Sequence, residues 1–186
     1  SNYVIAESAA GRSDGGFRRA GGENMFFSKS GKQLYFGLAT QLPPKDTSVP
    51  EFDRVNVDIW HYNDDQIQPA QLKSLSTDLN RSYLTKFDLT TQQIIPLGNT
   101  ALRTIIPTAE GDGSNFYGIC DTGRRIASQW QGYVVNDLYQ VNPQTGKSTL
   151  IAKNVKANLV SPSVSGNQLV WYDEPKKSYY QYDATT

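Results

Sequence analysis

The chain has 186 residues, enough for one domain with a sizeable core, and 38% of them are hydrophobic. Eighteen basic and eighteen acidic residues cancel, so the sequence carries no charge excess of the kind that attracts nucleic acids or anionic membranes. The single cysteine, Cys120, excludes an internal disulfide, and no apolar run is long enough to span a bilayer. We therefore expect neither a nucleic-acid nor a membrane partner.

Residues 1–25 are rich in Gly, Ser and Arg and have no sustained period, which predicts an irregular lead-in. Within them, residues 3–5 are expected to add at most one short edge strand. The sequence begins without Met and without a signal-peptide profile. This favours a segment cut from a longer chain, and a naturally processed terminus is the alternative.

A short phrase occurs twice: residues 28–36 read SKSGKQLYF and residues 163–171 read SVSGNQLVW. Each places a Gly-containing turn between two apolar-aromatic runs, which predicts a β-hairpin. Gly31 and Gly166 are expected to supply a backbone conformation with positive φ. A looser version of the same hairpin begins at Leu102.

A second hairpin type follows each of these, with an aromatic-rich strand before a polar turn. It occupies residues 83–97 and 137–151, and its first half returns at residues 178–186. Two hairpins in series make a four-stranded antiparallel sheet, and repetition at about 40–50 residues is typical of propeller blades. We therefore predict an all-β fold: a partial β-propeller of about three blades, part of a larger ring, with an edge-strand dimer as one expected contact.

The predicted blades span residues 26–99, 100–154 and 155–186, and residues 40–81 form an insertion in the first. The start of the insertion contains prolines and predicts an exposed loop. Residues 55–62, VNVDIWHY, alternate in the manner of a strand. Residues 68–80 are the one place where we predict a short helix.

Residues 57–71, VDIWHYNDDQIQPAQ, resemble the propeller domain of bacterial prolyl oligopeptidase or dipeptidyl peptidase family serine peptidases, of the Bacteroidetes type. Residues 128–147 and 162–173 are similar to the following blades. The resemblance implies a propeller that caps an α/β-hydrolase domain of the same parent chain and limits access to short peptide substrates. It also implies a periplasmic or secreted location.

The sequence departs from that family because it has no Gly-x-Ser-x-Gly elbow and its only histidine is His61. A Ser-His-Asp triad needs both. We therefore predict no catalytic residue in this segment, although the parent is expected to be a serine peptidase. The alternative is a propeller scaffold of the cell envelope that binds a protein or a glycan and has no peptidase activity.

Arg124 and Arg125, close in sequence to Trp130, are the candidate substrate-facing residues, since an Arg could hold a peptide carbonyl or carboxylate. A solvated turn is the favoured interpretation, because exposed arginines are common. Trp60, Trp130 and Trp171 could form a stacking surface, but packing between blades is the favoured interpretation.

No metal site or cofactor is predicted. His61 could be a metal ligand or a base, yet it lacks clustered partners, so packing or a local hydrogen bond is favoured. The acidic runs at residues 63–65 and 110–115 do not follow a calcium-loop spacing and are interpreted as turns. Cys120 is predicted to be a small buried apolar residue.

Overall fold

The computed structural model describes residues 25–39, 59–157 and 159–185, together with positions 48, 50, 53, 54 and 57. The predicted lead-in and the edge strand at residues 3–5 lie outside the described residues, as does most of the predicted loop at the start of the insertion. The described part contains no helix that is both long enough and apolar enough to cross a membrane.

The described strands form three separate antiparallel sheets, each a meander in chain order. Sheet 1 contains β1 (Phe26–Phe27), β2 (Gln33–Leu38), β3 (Tyr83–Asp88) and β4 (Ile94–Pro96). Sheet 2 contains β5 (Thr104–Ile106), β6 (Phe116–Cys120), β7 (Asn136–Val141) and β8 (Ser148–Val155). Sheet 3 contains β9 (Leu159–Pro162), β10 (Gln168–Asp173) and β11 (Ser178–Asp183). Sheets 1 and 2 thus have the predicted four strands, and sheet 3 has three.

Two α-helices connect strands within a sheet, and a short 3-10 helix (Ala109–Gly111) lies between β5 and β6. The first, α1 (Gln68–Leu79), lies between β2 and β3, and the second, α2 (Arg125–Gln131), lies between β6 and β7. The helix predicted in the insertion is therefore confirmed. Pro69 lies in its first turn, where backbone N–H groups have no acceptor within the helix, so proline breaks no hydrogen bond there.

The repeated phrase folds into the same turn at both places, as predicted. In each copy the first serine donates its N–H to the Gln carbonyl, and the glycine donates its N–H to the carbonyl of that serine. In the first copy, the bond from Ser28 to Gln33 and the bond from Gly31 to Ser28 are both 2.9 Å long. In the second copy, the bond from Ser163 to Gln168 is 2.8 Å and the bond from Gly166 to Ser163 is 3.0 Å. The glycines adopt φ values of 69° and 79°, the left-handed region that favours glycine.

The described residues form three buried clusters: one on each side of sheet 2, and a third in sheet 1 that contains Leu34, Phe36 and Phe87. Successive side chains of a strand point to opposite faces, so Phe116 packs with Tyr35 of sheet 1, whereas Tyr117 packs with Leu169 and Trp171 of sheet 3. Burying a large apolar side chain contributes about 1.5–3 kcal/mol. Successive four-stranded meanders packed face to face are blades in series. The chain is a partial β-propeller.

A hydrogen bond crosses each of these two interfaces at the same place in the repeat. The Tyr35 hydroxyl donates to the Gly111 carbonyl at 2.6 Å, and the Tyr117 hydroxyl donates to the Gly166 carbonyl at 2.9 Å. Each tyrosine lies on the second strand of its sheet, and each glycine lies in the first turn of the next sheet. Burial raises the pKa of Tyr117 to about 12, with smaller contributions from Tyr182 and Asp183.

Two predictions about local structure are wrong. Positions 57 and 59–62 of the predicted strand form no strand, although residues 55, 56 and 58 lie outside the described residues. An alternating pattern becomes a strand only where a neighbouring strand accepts its backbone hydrogen bonds. The helix α2 was not predicted, because seven residues are too few to show a helical period. Its one sequence signal is Gly132, which ends the helix with φ of 69°.

Candidate functional site

The candidate site is a cleft of about 320 Å³ where the insertion meets α2. This volume is at the small end of the range of ligand pockets. Side chains of the segment before α1 form most of its wall, and α2 contributes one aliphatic side chain. The main lining residues are Trp60, His61, Tyr62, Asp64, Gln66 and Ile126.

A tight turn holds the aromatic residues of the cleft in position. The Asp64 N–H donates to the His61 carbonyl at 3.1 Å, and the His61 N–H donates to Asp64 Oδ2 at 3.2 Å. The Asn63 N–H donates to His61 Nδ1 at 3.2 Å. The imidazole stacks on the Tyr62 ring, with 4.8 Å between the centroids. His61 is therefore an exposed loop residue with local contacts, rather than a residue of a packed strand.

An ion-pair network connects this segment to sheet 2. Arg125 binds Asp121 through two nitrogens, at 2.8 and 3.0 Å, and its Nη1 lies 3.4 Å from Asp65 Oδ2. The Arg125 N–H also donates to Asp65 Oδ1 at 3.2 Å. The hydrogen bonds from Arg125 lower the pKa of Asp121 below its usual range. Since Asp65 belongs to the insertion and Asp121 follows β6, Arg125 holds the cleft against the sheet.

Arg124 also forms an ion pair with a carboxylate of this chain. Its Nη2 lies 2.8 Å from Asp137 Oδ2, and Asp137 Oδ1 accepts the Asn154 N–H at 2.8 Å. Only 11% of the Arg125 side chain and 19% of the Arg124 side chain are exposed, so the solvated-turn interpretation is wrong. Both guanidinium groups bind carboxylates of this chain. A substrate-facing role for Arg124, Arg125 and Trp130 stays a prediction.

The three tryptophans have different environments. Trp171 is buried between sheets and stacks on Tyr180, with 5.8 Å between ring centroids, as the packing interpretation predicted. Trp60 and Trp130 are 69% and 79% exposed, so for them that interpretation is wrong. Trp60 lines the cleft, and Trp130 lies one helical turn after Ile126 on α2.

The remaining candidates occupy structural positions. Cys120 is buried in the core between sheets 1 and 2, as predicted. The acidic run at residues 110–115 is a turn, and its Asp112 accepts hydrogen bonds from the hydroxyl and the N–H of Ser30 at 2.7 and 2.6 Å. Across the described ranges, no group of three or more His, Cys, Asp or Glu side chains could hold a metal ion.

Sequence reasoning missed the cleft itself. In the sequence, Trp60 and Tyr62 belong to an alternating run, and Gln66 lies with them in a family-like motif, but neither pattern indicates that they lie next to α2. Ile126 follows them by some sixty positions, and only the Arg125–Asp65 contact reveals the proximity. The one signal in the sequence was the density of aromatic residues next to amide side chains.

No family model matches the chain, and no curated protein matches it. Among solved structures, TolB from Acinetobacter baumannii is similar with a TM-score of 0.41 and 15% identity, over 92% of this chain and 31% of that one. The tricorn protease is similar with a TM-score of 0.33 and 8% identity, over 87% of this chain and 21% of that one. The chain therefore spans less than a third of the length of either protein.

Proposed function

We propose that the chain is a non-catalytic propeller segment of a prolyl oligopeptidase-like serine peptidase. In this proposal it gates the access of peptides and docks on an α/β-hydrolase domain of the parent protein. The peptidase assignment rests on the resemblance of residues 57–71, 128–147 and 162–173 to that family. Docking and membership of a larger ring rest on surfaces that the described residues leave uncovered.

The observation that carries the proposal is the uncovered outer face of sheet 3. Leu159, Val170 and Tyr179 lie on the side that faces away from sheet 2, and Tyr179 is 71% exposed. The corresponding face of sheet 2, which carries Tyr117, is covered by sheet 3. An apolar sheet face of this kind needs a partner, and a further blade of the same ring would supply one.

The helix α1 presents a second such surface. Its body-facing side is polar: Asp78 lies 3.7 Å from Arg103, and the Gln71 amide donates to Asp64 at 3.2 Å. Leu72 and Leu75 of the same helix are about half exposed. An ordinary surface helix packs its apolar side chains against the core, and these two leucines are left partly open to solvent. We assign the two leucines to the contact with the hydrolase domain.

Two observations test the peptidase assignment. The purified chain should neither cleave a dipeptidyl chromogenic substrate nor react with a fluorophosphonate serine probe, whereas the full-length parent should do both. The parent reading frame should also contain a Gly-x-Ser-x-Gly elbow followed by Asp and His. Labelling of a serine within the chain, or a parent without the elbow, would refute the assignment.

The docking role is tested in the full-length parent with the double variant Leu72→Ser/Leu75→Ser. We expect the propeller and hydrolase unfolding transitions to separate in calorimetry, because the apolar contact between them is lost. The neighbouring exposed substitution Lys73→Ser is the matched control and should leave the transitions together. A double variant that behaves like the control would overturn the assignment of α1 to the interface.

A further inference from the structure

We propose that the cleft between the insertion and α2 is a binding site for an uncharged carbohydrate, one or two sugar rings in size. This proposal is independent of whether the parent is a peptidase. It rests on the aromatic, polar and charged groups of the cleft, each of which restricts the chemistry of the ligand.

The aromatic groups provide flat apolar surfaces. Trp60 and Tyr62 line the cleft with most of their surface open to solvent, at 69% and 88% exposure. A large exposed aromatic side chain loses favourable burial unless a ligand covers it. The C–H face of a pyranose ring is flat and apolar, and it can cover an indole or phenol ring while its hydroxyls point outward.

The polar groups suit those hydroxyls. Gln66 and Gln68 line the cleft, and within the part of the chain that the structure describes, neither side-chain amide has a hydrogen-bond partner. An amide offers a donor and an acceptor side by side, as adjacent hydroxyls of a sugar require. His61 Nδ1 accepts the Asn63 N–H, which leaves Nε2 as the ring nitrogen that a sugar hydroxyl can contact.

Near the cleft lie three carboxylates, those of Asp64, Asp65 and Asp121, and one guanidinium group, that of Arg125. Asp64 accepts hydrogen bonds from the His61 N–H and the Gln71 amide, and Asp65 lies against Arg125. Arg125 in turn binds Asp121 with two hydrogen bonds. The Asp64 carboxylate lines the cleft, and its donors from His61 and Gln71 are uncharged, so an acidic ligand would meet a like charge and would lose hydration on binding. An uncharged ligand avoids that cost, which favours a neutral sugar over an acidic one.

The cleft is also organised before any ligand arrives. The turn hydrogen bonds fix His61, the imidazole stacks on Tyr62, and Arg125 holds the segment against sheet 2. Binding therefore does not have to order these side chains, which reduces its entropic cost. The combination of exposed aromatic faces, free amides and a segment held against sheet 2 points to recognition by stacking and hydroxyl hydrogen bonds.

The test begins with an array of neutral and acidic glycans, followed by calorimetric titration of the neutral oligosaccharide with the strongest signal. We expect Trp60→Ala to weaken binding at least tenfold and Gln66→Ala at least threefold. Tyr179→Ala is the matched control: it removes an equally exposed aromatic side chain from sheet 3, far along the chain, and should leave the affinity unchanged. Circular dichroism establishes that each variant is folded.

Three outcomes would overturn the proposal. The first is no binding of any neutral glycan, and the second is binding that Trp60→Ala leaves unchanged. The third is binding at this cleft by acidic glycans or by an apolar peptide in preference to neutral glycans. A peptide that binds through α1 would concern the proposed docking role instead. It would be distinguished because Leu72→Ser/Leu75→Ser, and not Trp60→Ala, abolishes its binding.

Discussion

The Tyr117 hydroxyl donates a hydrogen bond of 2.9 Å to the Gly166 carbonyl and thereby ties sheet 2 to the first turn of sheet 3. Tyr35 and Gly111 form the equivalent bond between sheets 1 and 2. In β10 the corresponding position is Val170, which cannot make such a bond. The repeated bond sets the position of sheet 1 on sheet 2 and of sheet 2 on sheet 3.

Removing one of these hydroxyls should destabilise the fold measurably. Tyr117→Phe leaves the buried Gly166 carbonyl without its donor, so we expect the free energy of unfolding to fall by about 1–3 kcal/mol. Urea denaturation followed by fluorescence measures the change. Tyr179→Phe, at an exposed ring, is the control and should have no effect. Equal stability of the two variants would show that the bond contributes nothing.

The two glycines of the repeated turn should respond differently to alanine. Gly31 has φ of 69° and no atom within 4 Å of an added Cβ, so Gly31→Ala should cost about 1–2 kcal/mol for the left-handed backbone alone. At Gly166 an added Cβ would also clash with Thr108 and Asn115. We expect Gly166→Ala to cost about 1–3 kcal/mol more. Identical unfolding midpoints would contradict this.

Stability should fall in acid partly through Asp121. Hydrogen bonding to Arg125 lowers the pKa of Asp121 in the folded state below the usual 3.8. The stabilisation is therefore fully present above pH 3.8 and disappears as the pH falls through the lower folded pKa. The variant Asp121→Asn should be less stable at neutral pH by about 1 kcal/mol, because the carboxylate is partly exposed. Urea titrations between neutral pH and strong acid should show the two stability curves converging; curves that stay parallel would contradict the linkage.

Lys86 should make the protein more stable at alkaline pH. Its side chain is fully buried, and its Nζ donates to the Gln144 amide oxygen at 3.0 Å. Burial lowers the pKa of Lys86 below 10.5, so between the two values the unfolded chain binds more protons and stability rises with pH. Lys86→Met should not show this rise of stability with pH. At neutral pH it should be more stable than the unsubstituted chain by about 1 kcal/mol, since no buried charge remains.

The free energy of unfolding of Lys86→Met is compared with that of the unsubstituted chain across the alkaline pH range. Titration of the tyrosines affects both proteins equally and cancels. If Lys86→Met is less stable at neutral pH, the hydrogen bond to Gln144 outweighs the cost of burying the amine.

The sequence by itself determined the strands, the tight turns and α1, because these depend on neighbouring residues: alternation, a glycine with positive φ, and a proline in the first helical turn. It did not reveal that residues 57 and 59–62 are a loop, that Trp60 and Trp130 are exposed, or that Arg125 binds Asp65. Those facts were decided by the tertiary structure, since burial and ion pairing depend on which distant segment covers a side chain. An aromatic residue in an alternating run is buried only if another sheet packs on it, and no local pattern records whether one does.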